Sequence, residues 1–433
     1  MTIETRDYRL DGIYRQRQDG FFMQRVKLPA GVISAPQARV VADIARNFGR
    51  ATIHLTTRGN LEIHWLREAD LPAVKLELAK VGLTSRGACG GAVRGITCAS
   101  QGSQGFPVLE TMARRLQRHF TGNPRFERLP KKFKIGIEAD VVGGRHLIQD
   151  VGLVLSRLEE GLARYDVWVA GGLGREPRAA FLLAEAVEEQ RIIPLVEAIV
   201  AVYCAHAPAG RRLKYLVHEL GEDELRRRIE AQPSAVEELP SVSGLPENLI
   251  PAPNGRQRLE ARLFAGLVTS DQLHELAAFA DARADGALML TADQDVVFLL
   301  AEDTDDTTAG RELAEAGFNR GLRSEQTRFR VCPGNHECLA GLAATRDVAR
   351  AVMEALGPEG AKLTWAVSGC PNSCTQPQLA DVGIAVSRLA VSADGGKEPR
   401  FDLYRRSGGG LGQRVGEGLT HTELIARLER IVE

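Results

Sequence analysis

The sequence predicts a mixed α/β protein built as a tandem duplication. The stretch "LPAGVISAPQARVVADIARNFGRATIHLTTRGNLEIHWL", from Leu28, lies without a gap over "LFAGLVTSDQLHELAAFADARADGALMLTADQDVVFLLA", from Leu263. Later in each copy, "DVGLVLSRL" (150–158) returns as "DVGIAVSRL" (381–389), and "YDVWVAGGLG" (165–174) has its partner in "FDLYRRSGGGLG" (401–412). Between the copies runs "QPSAVEELPSVSGLPENLIPAPNG", whose Pro, Ser and Asn mark a join. At 433 residues the chain exceeds one ordinary core, as a doubled chain should.

Each copy starts with a glycine turn, Gly31 or Gly266. Apolar residues at helical spacing then predict a helix over 35–48 and another over 270–283. Alternation predicts a strand over 52–66 and again over 287–300. The rest of each copy reads as strands and helices joined by glycine-rich turns.

The copies differ in a systematic way. Arg25 lies opposite Glu260 and Arg58 opposite Asp293, whereas the first copy has no counterpart of the cysteines in "VCPGNHEC" and "SGCPNSC". Positive charge is kept in one half and thiols in the other, so both halves are expected to serve one shared site.

Of seven cysteines, four form two tight pairs, Cys332/Cys338 and Cys370/Cys374, separated by 31 residues. The C-x5-C and C-x3-C spacings are not those of structural zinc knuckles. Four soft thiolates in Gly- and Pro-punctuated turns suit an iron–sulfur cluster, because backbone N–H groups there can point at sulfur. Zinc and unrelated thiols remain the alternatives from spacing alone. Cys89, Cys98 and Cys204 stand apart and read as buried small hydrophobes.

"CPGNHEC" with "SGCPNSCTQPQLADVG" resembles the cluster and sirohaem motif of the nitrite/sulfite reductase family. "LTTRGNLEIH", "LPKKFK", "VWVAGGLG" and "RRLKYLVHELGEDELRRRIE" extend the resemblance over nearly the whole chain. It implies two ferredoxin-like half-domains (1–80 and 256–322) that pair, and two haem- and cluster-binding α/β domains. These would be a sirohaem and anion domain at 81–235 and a cluster domain at 323–433, with 236–255 as linker. It also implies a 4Fe-4S cluster on Cys332, Cys338, Cys370 and Cys374, with the Cys374 thiolate shared with sirohaem iron.

By the same resemblance, Arg25, Arg94, Lys132 and Lys134 bind the anionic substrate, sulfite or nitrite. On an extended segment Lys132 and Lys134 point to one side and Phe133 to the core. Clustered cations also suit the chemistry, since six electrons and several protons must reach a small anion. His54, Thr56, Thr57, Arg58 and Asn372 are implied as donors to the sirohaem carboxylates. Glu62 stands where a neutral donor is expected, and a carboxylate there would repel the cofactor's own, so it falls outside the set.

No flavin or nicotinamide segment is visible, so electrons are expected from a ferredoxin or flavoprotein. "RGITCAS" tilts the expected substrate towards sulfite. Two other readings are a precorrin-3B synthase-like oxygenase on the same scaffold and a non-catalytic iron–sulfur carrier. "AGGLGREP" lacks the third glycine of a dinucleotide fingerprint and reads as a structural turn.

Composition narrows the partners. A net charge of -1 gives no global attraction to nucleic acid or to a membrane surface. The start lacks a secretory pattern, and "IIPLVEAIVAVYCAHA" is broken by Glu197 and too short to span a bilayer. A cytoplasmic protein is the expectation, and such a compartment keeps thiols reduced.

Overall fold

The computed structural model of the chain describes residues 8–159, 162–239, 256–319, 327–391 and 395–432. Most of the predicted join, 240–255, lies outside the described residues, as do 320–326 at the start of the expected cluster domain.

The two predicted helices form with the predicted bounds, α1 at Ala35–Phe48 and, in the second copy, Ser270–Arg283. Both begin with a capping box. The Ser34 hydroxyl accepts from Gln37 N while the Gln37 side chain accepts from Ser34 N, and Thr269 and Gln272 repeat the exchange. Before each cap the chain kinks at an alanine with positive φ, Ala30 at 53° and Ala265 at 59°. Duplication thus reaches down to single backbone angles.

The predicted single strands are hairpins instead. In the first copy β1 (Ile13–Arg15), β2 (Phe21–Val26) and β3 (Val32–Ser34) precede α1, and β4 (Thr52–Leu55) turns back into β5 (Leu61–Arg67). The turn between them is built by Thr56, whose hydroxyl accepts from Arg58 N and Asn60 N, and by Gly59 at φ +61°. Alternation continues through such a tight turn, which is why it read as one strand. The first copy continues with β6 (Thr97–Cys98), β7 (Ile135–Glu138), β8 (Val151–Glu159), β9 (Leu162–Val169) and β10 (Phe181–Glu188). In the second copy come β11 (Arg258–Ala261), β12 (Leu267–Thr269), β13 (Ala287–Leu290) and β14 (Val296–Leu299). They are followed by β15 (Arg328–Val331), β16 (Thr364–Ser368), β17 (Val382–Val391), β18 (Lys397–Arg405) and β19 (Gln413–Leu419).

The half-domain sheets exchange strands. One sheet runs β1-β2-β5-β4-β12 and the other β11-β14-β13-β3, so each copy completes its sheet with a strand of the other. The helices α1 and Ser270–Arg283 pack together across this exchange, over a shared core that includes Val41, Ala45, Leu273 and Leu276. Gly31 sits at the crossing with φ +77°, and a Cβ there would lie 2.3 Å from Leu290 O. Gly31→Ala is expected to lower unfolding free energy by about 2–3 kcal/mol in urea denaturation.

The remaining two sheets have one topology. β6, β7 and β8 run parallel and β9 and β10 return antiparallel, while β15, β16 and β17 run parallel and β18 and β19 return antiparallel. A matching carboxylate ties each down: Asp150 Oδ2 accepts from Lys134 N at 2.7 Å, and Asp381 Oδ2 from Thr364 N at 2.8 Å. No helix of the described residues is long and apolar enough to cross a membrane.

Candidate active site at the junction of the two copies

The cation strip is built by backbone pairing. Phe133 forms a parallel bridge with Val93, with Phe133 N donating to Ala92 O and Arg94 N to Phe133 O. Phe133 is fully buried, which turns Lys132 and Lys134 to the other side beside Arg94. Burial, then Arg58, Arg212 and Lys132, pushes the Lys134 pKa well below the lysine range. Lys132 is lowered by burial first; Cys374 opposes this, and Arg212 and Arg94 add to it. The field of Cys374 thus reaches both lysines.

Around the thiols, the turns present backbone N–H groups to sulfur. Gly369 N lies 3.1 Å from Cys332 Sγ, Gly334 N–H also faces Cys332, Ala340 and Gly341 face Cys338, and Asn372 faces Cys370 with both backbone and side chain. Cys332, Cys338 and Cys370 each sense Cys374 electrostatically. Among the described residues no three of these thiols have their sulfurs within 4.8 Å of one another. Burial pushes the Cys370 thiol up to about 11, and pushes Cys332 higher still.

The two halves meet at Cys374. Thr57 Oγ1 donates to Cys374 O at 2.7 Å, and Gln376 Nε2 donates back to Thr57 O at 3.1 Å. The cluster loop is gripped from two further sides. Arg330 donates to Thr375 O and Gln376 O while paired with Asp293, which also holds Arg145. At the other end Gln16 bridges to Cys338, Arg17 N donates to Glu337 O, and Gln18 Nε2 to His336 O.

The expected cofactor donors divide into two groups. Arg58 Nε is buried without a protein partner, as is Nη1 of Arg94 from the expected anion-binding set, and an anionic group would be received there. Arg58 is otherwise oriented by Gln149, Gly95 O and Ile135 O. His54, Thr56 and Thr57, by contrast, are taken up inside the protein. His54 Nδ1 meets Glu62 Oε2 at 3.2 Å and its Nε2 lies 3.2 Å from Val331 O. Thr56 builds the β4–β5 turn, and Asn372 is turned to Cys370.

Several residues that matter here escaped sequence reading. Arg212 forms a buried pair with Asp150 at 2.8 Å and faces Lys132 and Lys134. Lys214 Nζ donates to Leu173 O at 3.2 Å, so the "AGGLG" turn is a structural element closed by a lysine. The signal for both was the basic run "RRLK", which reads as surface charge until its partners are known. Cys89 and Cys98 are buried as expected, but Cys204 is exposed on α2 (Glu189–His206), because its side chain falls on the polar face of that helix.

Comparison with known proteins agrees with this geometry. Residues 14–81 match the family model for the nitrite/sulfite reductase ferredoxin-like half domain, and residues 97–235 the model for the nitrite and sulphite reductase 4Fe-4S domain. The second match falls on the first copy, whose sheet repeats the topology of the cysteine-bearing second copy. Among curated relatives, sulfite reductase (ferredoxin) 2 of Mycolicibacterium paratuberculosis is 27% identical over 98% of this chain and 84% of its own. The ferredoxin–nitrite reductase of Synechococcus elongatus is 28% identical over 95% and 84%. The solved structure of the Mycobacterium tuberculosis NirA protein superposes with a TM-score of 0.82 at 24% identity, covering 98% of this chain and 86% of that one, and shows the same fold. With paired half-domains, a doubled α/β unit and thiols facing a cation strip, the chain belongs to the nitrite/sulfite reductase family of oxidoreductases.

Proposed function

We propose that the chain reduces a small oxyanion, sulfite to sulfide or nitrite to ammonia, by six electrons taken from a ferredoxin or a flavoprotein. The observation that carries this reading is the position of Cys374: its field reaches Lys132 and Lys134, and its carbonyl is held by Thr57 of the other copy. Curated relatives named as ferredoxin-dependent sulfite and nitrite reductases support it.

The residues present fit the two cofactors of this reading. Cys332, Cys338, Cys370 and Cys374 would hold a 4Fe-4S cluster, and Cys374 is the thiol on the side of the cation strip. Arg58, with its unpartnered buried Nε–H, would receive a carboxylate of the tetrapyrrole. When bound, the cluster and tetrapyrrole would supply electrons one at a time. The chain's own part is to attract the anion through the charges of Arg25, Arg94, Lys132 and Lys134, to orient it through Arg94, Lys132 and Lys134, and to deliver protons from lysine Nζ to its oxygens as they leave as water. A simple electron carrier has no use for such a strip.

Anaerobically purified holoprotein is expected to show isobacteriochlorin absorption and to oxidise reduced viologen when given sulfite or nitrite. Cluster without tetrapyrrole would favour the synthase reading, and zinc alone would end the reductase one.

A further inference from the structure

Three strands place a row of ionisable side chains across one sheet. Arg25 on β2 pairs with Glu62 on β5, and Glu62 pairs with His54 on β4. Glu62 Oε1 accepts from both Arg25 Nε (2.9 Å) and Nη2 (2.5 Å), and Oε2 faces His54 Nδ1 (3.2 Å) and His64 Nε2 (3.4 Å). The Glu62 side chain is 6% exposed and that of Arg25 26%. Among the described residues Arg25 is the one member of Arg25, Arg94, Lys132 and Lys134 that has a carboxylate partner. Burial disfavours the Glu62 carboxylate, but Arg25, then His54 and His64, outweigh it and keep its pKa well below the usual range.

Two results follow. The guanidinium is fixed in place: Nη1 is directed at Ala88 O (3.3 Å) and Cys89 Sγ (3.4 Å), so little of its five-donor capacity remains for a ligand. Beside Arg25 the row also holds a buried negative charge. His54, Glu62 and His64 have the composition of a metal site, but the Arg25 guanidinium on Glu62 would repel a cation there.

We propose that Glu62 trims the positive charge of the anion pocket and so narrows its preference for dianionic sulfite over a singly charged anion, nitrite or bisulfite. This rests on the reductase reading above and narrows its substrate. A buried carboxylate repels a dianion twice as strongly as a monoanion at the same distance. The other groups facing Glu62 are Arg25 from β2, His54 from β4, His64 from β5 and Cys338 from the cluster loop, with Cys89 and Tyr14 beside Arg25.

The test uses holoenzyme with reduced viologen, with each anion assayed alone from mildly acidic to mildly alkaline buffer. Nitrite keeps one charge throughout, and the variant and the unaltered enzyme are compared at the same pH. In Glu62→Gln, which retains an acceptor for Arg25, the ratio of sulfite KM to nitrite KM at alkaline pH should fall about tenfold relative to the unaltered enzyme. Glu62→Asp should behave like the unaltered enzyme. Titration of oxidised holoenzyme with each anion without reductant, followed by visible absorption, should move the Kd ratio in the same way. A ratio unchanged or raised in Glu62→Gln overturns the proposal. Absence of turnover with either anion would overturn the reductase reading instead, and the titration would still decide on Glu62.

Discussion

Lys134→Ala is expected to lower turnover by about 10²–10³-fold while the absorption of the loaded enzyme stays unchanged. Among the described residues Lys134 has no carboxylate partner, and its charge is opposed by burial and by Arg58, Arg212 and Lys132. A lysine in that setting gives up its proton more readily than one in water, which is what repeated protonation of an anion demands. Lys134→Arg separates binding from proton delivery: the charge remains, but arginine does not release its proton. Its KM should stay near that of the unaltered enzyme while kcat falls with that of the alanine variant. Steady-state kinetics with reduced viologen give both numbers, and normal kcat in Lys134→Ala would show that this lysine is not part of the chemistry.

The second large effect is expected at Asp150. This carboxylate is fully buried, accepts from Arg212 Nε and Nη2 at 3.2 and 2.8 Å, and accepts from the backbone N of Lys134 at 2.7 Å. Asp150→Ala leaves Arg212 buried without its counter-charge and Lys134 N without an acceptor, at a cost of about 3–5 kcal/mol. The melting midpoint should drop clearly, and whatever folded enzyme remains should have a misplaced lysine strip. Asp150→Asn keeps an acceptor for Lys134 N, so it should lose stability but retain more kcat per folded molecule. Equal kcat losses in the two variants would separate the lysine's position from this hydrogen bond.

The duplication, both long helices and the thiol pairs were legible because each depends on local pattern: helical spacing, capping residues and cysteine spacing. The hairpins at 52–67 and 287–299 were not, since alternation looks the same on both sides of a tight turn. Residue roles were harder for a different reason. His54 and Thr56 are donors by type, but the sheet brings Glu62 to one and the turn's own backbone to the other, and such partners follow from tertiary pairing. Glu62 shows the same limit in reverse. It was set aside because a carboxylate would repel a cofactor, yet the cross-strand position of Arg25 gives it a partner that only register could show.

The exchange of β3 and β12 bears on how the protein is made. During synthesis the first sheet lacks its outermost strand until Leu267–Thr269 has left the ribosome, and until then the free edge of β4 offers unpaired N–H and C=O groups. The nascent first copy is therefore exposed to pairing with its neighbours on a polysome, and maturation cannot proceed one repeat at a time. Loading of the cluster proposed for Cys332, Cys338, Cys370 and Cys374 would come later still.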